Sequence, residues 1–272
     1  MSNPRRALAA MSLGLLSIIA CRTTAPAVQT AAAPDKHATL AQQNVDAVIY
    51  QNSSAEVHRL YQQGYELARI RLDANLARPH TKPPAVIVDI DETVLDNSPS
   101  NATDALNGHG FTPAEWKKWT ALARAKALPG AVDFLNYAVG KGCEVYYISN
   151  REMDEKAATI MNLQETGFPM ADAAHVMPMD GTSDKTARRA EVAKTHHIAL
   201  LVGDQLTDFD ESFKARSVGH GKPHVDALRD TLERYFILLP NPMYGTWLNA
   251  VAGKTDSLKA ANKERFLKTV GY

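Results

Sequence analysis

Apolar positions recur every three or four residues through Val57, Tyr61, Tyr65, Ala68, Leu72 and Leu76, the best-defined part of a helical stretch predicted from Asp35 to Leu76. Ser53 or Ser54 stands where an N-cap is needed. Beyond this stretch the pattern shortens. Apolar runs at Val86–Ile90, Val145–Ile148, Ile198–Val202 and Phe236–Leu239 predict strands, with a further short one near Val176. Helical patterns at Gly130–Val139, Asp154–Glu165 and Lys185–Lys194 lie between them. Such alternation predicts an α/β fold, a parallel sheet with helices on both faces. Sheets of this kind bind ligands beyond the carboxyl ends of their strands, where Asp89, Ser149 and Asp204 fall. Residues 97–128 are too many for a plain loop, and Thr112-Pro-Ala-Glu-Trp-Lys-Lys-Trp119 within them predicts a capped helix. That segment is expected to form a small helical cap over the site.

The N-terminus bears on where the chain works. Arg5 and Arg6 precede the apolar run Ala7–Ala20, and Ser17-Ile-Ile-Ala leads into Cys21, which resembles a bacterial lipobox. A lipoprotein signal peptide over residues 1–20 and a lipidated Cys21 are expected, with an ordinary signal peptide and an incidental cysteine as the alternative. The run is shorter than the about 20 apolar residues a spanning helix needs. Several acyl chains would anchor the chain stably. Arg22 after the cysteine fits the sorting pattern of bacterial outer-membrane lipoproteins, periplasm-facing or surface-exposed. Residues 21–34, rich in Ala, Thr and Pro, read as a disordered tether, which leaves 35–272 for one domain.

Loss of the leader removes Arg5 and Arg6 from 30 basic residues and nothing from 30 acidic ones, so the mature chain is nearly neutral. With no long run of like charge, a nucleic-acid polymer is not the expected partner. Once Cys21 is lipidated only Cys143 remains, so no internal disulfide can form. Cys143 reads as a small core residue at a strand start.

The chemistry concentrates after the first strand, where Ala85-Val-Ile-Val leads into Asp89-x-Asp91-x-Thr93. Alternate strand residues share a face, so both carboxylates are expected on one face if the extended geometry persists. Such neighbours repel, a cost that a bound cation or a held proton relieves. Phosphoryl transfer uses both: one carboxylate attacks phosphorus and the other protonates the leaving alcohol. Tyr146-Tyr-Ile-Ser-Asn-Arg151 ends another strand in a hydroxyl, Lys185 opens a helix, and Leu200-Leu-Val-Gly-Asp-Gln-Leu-Thr-Asp-Phe209 carries Asp204 and Asp208. In this order the four stretches resemble the motifs of phosphatases of the haloacid dehalogenase (HAD) superfamily. Ile87–Asn97 and Leu239-Pro-Asn-Pro-Met-Tyr-Gly-Thr-Trp247 are similar to the class C acid phosphatases, which include lipoprotein 5'-nucleotidases, and the likeness runs from about Ser54 to Trp247. Ser100, Gln205 and Ala199 depart from the pattern, which usually has Tyr, Asn or Thr, and a branched residue there. Gln205 bears on the metal loop and Ser100 on the pocket mouth.

The resemblance implies a HAD-like Rossmannoid fold and a set of roles. Asp89 would be the nucleophile and Asp91 the acid and base. Mg²⁺ would be held by Asp89, Asp204 and the Asp91 backbone carbonyl, with Asp208 ligating directly or through water. Ser149 and the Asn150 amide would hold phosphate oxygens, and Lys185 would offset their charge. Arg151 is left between pocket residue and surface salt bridge. Trp116 and Tyr244 match positions that stack a nucleobase, although Trp116 and Trp119, three apart, also read as the core face of a helix. His196, His197, His220 and His224 lack zinc spacing and read as surface or helix-end residues. The expected function is a Mg²⁺-dependent acid phosphatase or 5'-nucleotidase acting on nucleoside 5'-monophosphates. A broad phosphomonoesterase or phosphotransferase without base preference is the first alternative, and a noncatalytic ligand-binding surface lipoprotein the second. Neither base preference nor oligomeric state is fixed by the sequence.

Overall fold

The structure, a computed structural model, describes Ala33 and residues 35–271. The expected signal peptide, Cys21 and nearly all of the tether lie outside the described residues. No described helix is long and apolar enough to cross a membrane.

The N-terminal helical stretch is three helices, α1 (Lys36–Gln42), α2 (Val45–Ser53) and α3 (Ala55–Leu76). Ser54 breaks the run: it is extended, with φ −78° and ψ 128°, and its hydroxyl accepts the Val57 amide at 3.2 Å as the N-cap of α3. Of the expected stripe, Val57, Tyr61, Tyr65, Ala68 and Leu72 are buried. There follow β1 (Pro84–Val88), β2 (Leu95–Asp96), α4 (Ser98–Leu106), α5 (Pro113–Ala121), β3 (Lys126–Ala127), α6 (Ala131–Gly140), β4 (Glu144–Glu152), α7 (Lys156–Glu165) and β5 (Val176–Met179). The chain continues through α8 (Thr186–Thr195), β6 (His197–Gly203), the single turn α9 (Leu206–Phe209), α10 (Lys222–Ala227) and α11 (Arg229–Tyr235). It ends in β7 (Phe236–Leu238), α12 (Thr246–Ala252) and α13 (Asp256–Val270).

All five expected strands join one sheet of order β5-β4-β1-β6-β7, every pair parallel. The chain builds outward from β1 through β4 to β5, then returns to the other side of β1 for β6 and β7. That reversal opens a crevice beyond the carboxyl ends of β1 and β6, the usual ligand position in such sheets. Asp89 follows β1 directly and Asp204 follows β6.

Alternation within the strands fills both faces. Val86 and Val88 pack with Tyr65, Leu72, Phe134 and Leu163 on one side, while Ala85 and Ile87 pack with Val192, Leu201 and Phe236 on the other. Cys143 is buried just before β4, as a small core residue should be, and burial pushes its thiol up to about 11.

Residues 97–125 form the insert between β2 and β3. Those strands pair antiparallel, Leu95 with Ala127 and Asp96 with Lys126, which pinches the ends of the insert together. Helix α5 is the expected one, and Thr112 Oγ1 accepts the Glu115 amide at 3.2 Å. Helix α4 is not among the expected helices, and its start, Asn97-Ser-Pro-Ser, is rich in turn-forming residue types. Pro99 nevertheless sits in the first helical turn, where its missing N–H breaks no helical bond. The departure Ser100 is buried there.

Candidate active site

The backbone turns sharply after β1, and this corrects one expectation. Extended geometry stops at Val88: the Asp89 amide makes one last sheet bond to Val202 O at 3.0 Å, and then Ile90 O receives the Val94 and Leu95 amides at 2.9 and 3.0 Å. Asp91 is therefore placed by a turn rather than by the pleat, so the two carboxylates do not share a strand face. Glu92 takes φ 56° at the bend, a left-handed conformation that is costly for a residue with a Cβ. The core stripe of α3 holds this bend. Tyr65 Oη donates to Thr93 O at 2.6 Å, and the Tyr61 hydroxyl lies 2.8 Å from both the Glu92 and Pro240 carbonyls. The stripe thus supports the loop as well as the core.

Three carboxylates converge beyond the sheet. Ligand oxygens of Asp89, Asp204 and Asp208 all lie within 4.8 Å of one another. All three side chains are buried, and the Lys185 ammonium reaches into them, bonded to Asp89 Oδ1 and, at 2.7 Å, to Asp208 Oδ1. Lys185 is the N-cap of α8, a place the helix dipole makes unfavourable for a cation, and its partners explain why it is there. Gly203 makes the close approach possible, since a Cβ there would meet Asp208 Oδ2 at 2.5 Å. That oxygen instead accepts the Gln205 amide at 2.9 Å.

One ammonium does not balance three buried carboxylates. Burial, with Asp208 and Asp91 adding to it against the pull of Lys185, raises Asp89 to about 7. Burial, then Asp208 and Asp89, push Asp204 well above its ordinary value. Burial alone would depress Lys185, but Asp208 and Asp89 outweigh it and lift the ammonium to about 12. A hard divalent cation would remove this imbalance, and a donor set made of oxygens suits it. The residues present fit such an ion. Asp204 Oδ2 is already taken by Gln205 Nε2 at 2.8 Å and Asn241 Nδ2 at 2.7 Å, which leaves Oδ1 for a metal. Gln205 also accepts the Thr246 amide at 3.1 Å, so this departure from the family pattern ties the metal loop to the C-terminal segment that carries Tyr244.

Asp91 has its own cation. Arg151 is 2% exposed, and its Nη2 and Nε donate to Asp91 Oδ1 at 2.7 and 3.0 Å, which rules out the surface salt bridge. Ser149 is buried with its Oγ 3.4 Å from Asp91 Oδ2. Asn150 is exposed at the rim. Trp116 is half-buried, with its ring centroid 5.6 Å from the Arg151 guanidinium carbon and 6.2 Å from the Phe111 ring. Trp119 packs against the core instead. Tyr244 is half-buried, next to the Gln205 contact.

Two arginines were missed in the sequence. Arg188 donates to Ser149 O at 2.5 Å and to Asn150 Oδ1 at 2.8 Å, and Arg189 donates to Asp208 O at 3.0 Å. They stand three and four residues after Lys185, the spacing that puts side chains on one helical face, and that was the available signal. Asn97 and Asn241 lie within the two stretches similar to the class C acid phosphatases, but the sequence reading gave neither a role.

A sequence profile described as HAD superfamily, subfamily IIIB (acid phosphatase) matches residues 8–247. The chain belongs to that family. The structure of the class C acid phosphatase from Bacillus anthracis is similar to this subfamily IIIB chain, with TM-score 0.79 and 39% identity over 83% of this chain and 97% of that one. The same Bacillus protein with tungstate bound gives TM-score 0.78 over the same shares. Among plant sequences, a stem 28 kDa glycoprotein of Glycine max is 27% identical over 129 residues, 45% of this chain and 51% of its own. Acid phosphatase 1 of Solanum lycopersicum is 28% identical over 159 residues, 58% of this chain and 57% of its own. The chain thus spans little more than half the length of these plant relatives. Within the subfamily IIIB fold, Asp89 and Asp91 follow β1, Asp204 and Asp208 follow β6, and Lys185 reaches them from the start of α8, whereas Ser149 lies inside β4, which runs on to Glu152 instead of ending at Ile148 as expected.

Proposed function

We propose that this acid phosphatase family member hydrolyses phosphomonoesters with Mg²⁺, through a phosphorylated Asp89, and takes nucleoside 5'-monophosphates among its substrates. The observation that carries the reading is the buried, under-neutralised cluster of Asp89, Asp204 and Asp208 around Lys185. Tungstate in the Bacillus relative supports a site for a tetrahedral oxyanion.

On this reading Asp89, Asp204 and the Asp91 carbonyl would hold the ion, with Asp208 ligating directly or through water. A bound Mg²⁺ would supply the positive charge that lets an anionic carboxylate approach an anionic phosphoryl group. Thr93 Oγ1, 3.3 Å from Asp89 Oδ2, orients the nucleophile. Lys185 stabilises charge on the transferring group, and Ser149 with the Asn150 amide receives its oxygens. Asp91 protonates the departing oxygen, then takes a proton from the attacking water.

Nucleotide preference rests on Trp116, on α5, and Tyr244, just before α12, both half-buried aromatics. Stacking on such rings is worth about 1 to 3 kcal/mol per base and tolerates different bases. Trp116→Ala should therefore weaken kcat/KM for nucleoside 5'-monophosphates by about tenfold while sparing sugar phosphates. Equal losses on both substrate types would replace this preference with a broad phosphomonoesterase. The expected anchor at Cys21 would hold the enzyme at an outer membrane. Cys21→Ser should release activity into the soluble fraction, and retention at the membrane would remove the anchor from the proposal.

A further inference from the structure

The two oxygens of Asp91 are not equivalent. Oδ1 accepts Arg151 Nη2 at 2.7 Å, Arg151 Nε at 3.0 Å and Asn97 Nδ2 at 2.8 Å. Oδ2 has only longer contacts, to Ser149 Oγ and Arg151 Nε, both at 3.4 Å. One oxygen is tied down by charge-assisted bonds and the other is left to exchange a proton.

What fixes this asymmetry lies partly in the cap insert. An asparagine amide can be turned end for end, and its neighbours decide which end faces where. Trp119, on α5, has an indole N–H that can only donate, and it donates to Asn97 Oδ1 at 2.7 Å. The amide oxygen must face Trp119, so the Asn97 NH₂ must face Asp91. Arg151 Nη2, 3.4 Å from the same oxygen, favours the same orientation. The Asn97 backbone is fixed in turn, its amide donating to Glu92 Oε1 at 2.9 Å, and Asn97 is fully buried. Arg151 is held from behind, its Nη1 donating to Thr159 Oγ1 at 3.2 Å.

We propose that Trp119 and Asn97 are positioning residues for proton transfer, through which α5 of the cap insert holds Asp91 Oδ2 toward the leaving group. The inference rests on Asp91 acting as acid and base in the hydrolysis proposed above. In the first half, a bond forms from an Asp89 carboxylate oxygen to phosphorus while the bond from phosphorus to the ester oxygen breaks, and the proton on Asp91 Oδ2 passes to that oxygen. In the second half, water oxygen bonds to phosphorus, its proton returns to Asp91 Oδ2, and the bond to Asp89 breaks to release inorganic phosphate. Tilting Oδ2 away impairs the first half most where the departing alkoxide most needs that proton. It matters little where the leaving group is already a stable anion. Trp119 thus differs from Trp116, whose proposed role is to contact the substrate.

The test measures kcat/KM, which reports the first half, for Trp119→Phe and the unaltered protein with added Mg²⁺. Butyl phosphate serves as the poor leaving group and p-nitrophenyl phosphate as the good one, and neither carries a nucleobase. Phenylalanine keeps most of the ring and loses the N–H. We expect a loss of about tenfold or more on butyl phosphate and less than about threefold on p-nitrophenyl phosphate. The ratio of the two constants does not depend on how much of the variant is folded. An unchanged ratio, at whatever absolute activity, overturns the positioning role. Asn97→Ala should shift the ratio in the same direction, and failure to do so overturns the path through Asn97. Asp89→Asn, run beside them, separates the two levels: if it stays active on both esters the hydrolytic reading fails, whereas an inactive Asp89→Asn with unaltered ratios defeats only the inference.

Discussion

Acidic groups sit at the start of β4 and, at the opposite end of the parallel sheet, beyond β1 and β6, and the two ends treat them in opposite ways. At the start of β4 Glu144 is partly exposed, with its Oε2 bonded to Tyr146 Oη at 2.7 Å and lying 3.2 and 3.5 Å from the Nε2 atoms of His196 and His175. The Tyr146 hydrogen bond, with help from His196 and His175, lowers the Glu144 carboxyl below its ordinary value. At the other end Asp89, Asp204 and Asp208 are buried together around one ammonium, and Asp89 and Asp204 move upward. Carboxylates at the first end are satisfied by what the chain itself supplies. Those at the second end are not, and the shortfall is what a metal ion and a phosphoryl group would fill. A cluster of acids therefore says little until its neutralisation is counted.

The largest expected effect comes from removing the acid that would bond to phosphorus. Asp89→Asn should lower kcat by about 10⁴-fold or more, because a nucleophile works as a unit with its partners and little remains without it. Asp91→Asn should cost about 10² to 10⁴-fold, the usual worth of a placed acid and base. Both are read from phosphate release at saturating substrate. Substantial turnover by Asp89→Asn would make the catalytic end no different in kind from the Glu144 end.

Next in size is a pH effect on stability that the metal should erase. Asp89 and Asp204 bind protons more tightly folded than unfolded. Their favourable contribution is complete below the ordinary carboxylate value of 3.8 and is lost as pH rises through about 7 for Asp89. Metal-free protein should thus lose stability from these groups between about pH 4 and pH 8, by roughly 4 kcal/mol for a shift of this size in one group. Excess Mg²⁺ should bind the ionised carboxylates and flatten the profile. Thermal unfolding across pH, with chelator and then with Mg²⁺, checks it. Identical profiles would mean that the cluster takes no cation.

Much of this arrangement was legible in the sequence because strand periodicity and motif order are local. The five strands, the role of Ser54 and the siting of Asp89 and Asp204 at strand ends all follow from residues within a few positions of one another. Three features were not legible for one shared reason, that they depend on partners distant in sequence. The bend that delivers Asp91 is held by Tyr61 and Tyr65, about 30 residues earlier. Arg151 is fixed by Asp91, 60 residues away, so its own neighbours left it between pocket and surface. Helix α4 hides in turn-forming residues, and the antiparallel pairing of β2 with β3 closes its insert. The candidate metal ligands were easier to find than the groups that aim them, since ligands recur as motifs and supports do not.

The smallest expected effect is the sharpest test of the contrast. Glu144→Gln keeps the shape of the side chain and removes its charge. If the group serves structure alone, kcat and KM should stay within about twofold, and stability at pH 7 should fall by no more than roughly 1 kcal/mol, since Glu144 is partly exposed and its charge is screened by solvent. The sign also differs from that of the catalytic end. A lowered carboxyl stabilises the fold above its ordinary value of 4.5, and that contribution is lost as pH falls through the folded value. Glu144→Gln should therefore narrow the stability gap between pH 7 and pH 3, whereas Mg²⁺ acts between pH 4 and pH 8. Unfolding midpoints across the two ranges separate these effects. A catalytic defect in Glu144→Gln would mean that the two ends of the sheet are coupled, and the division between a self-satisfied cluster and a waiting one would not hold.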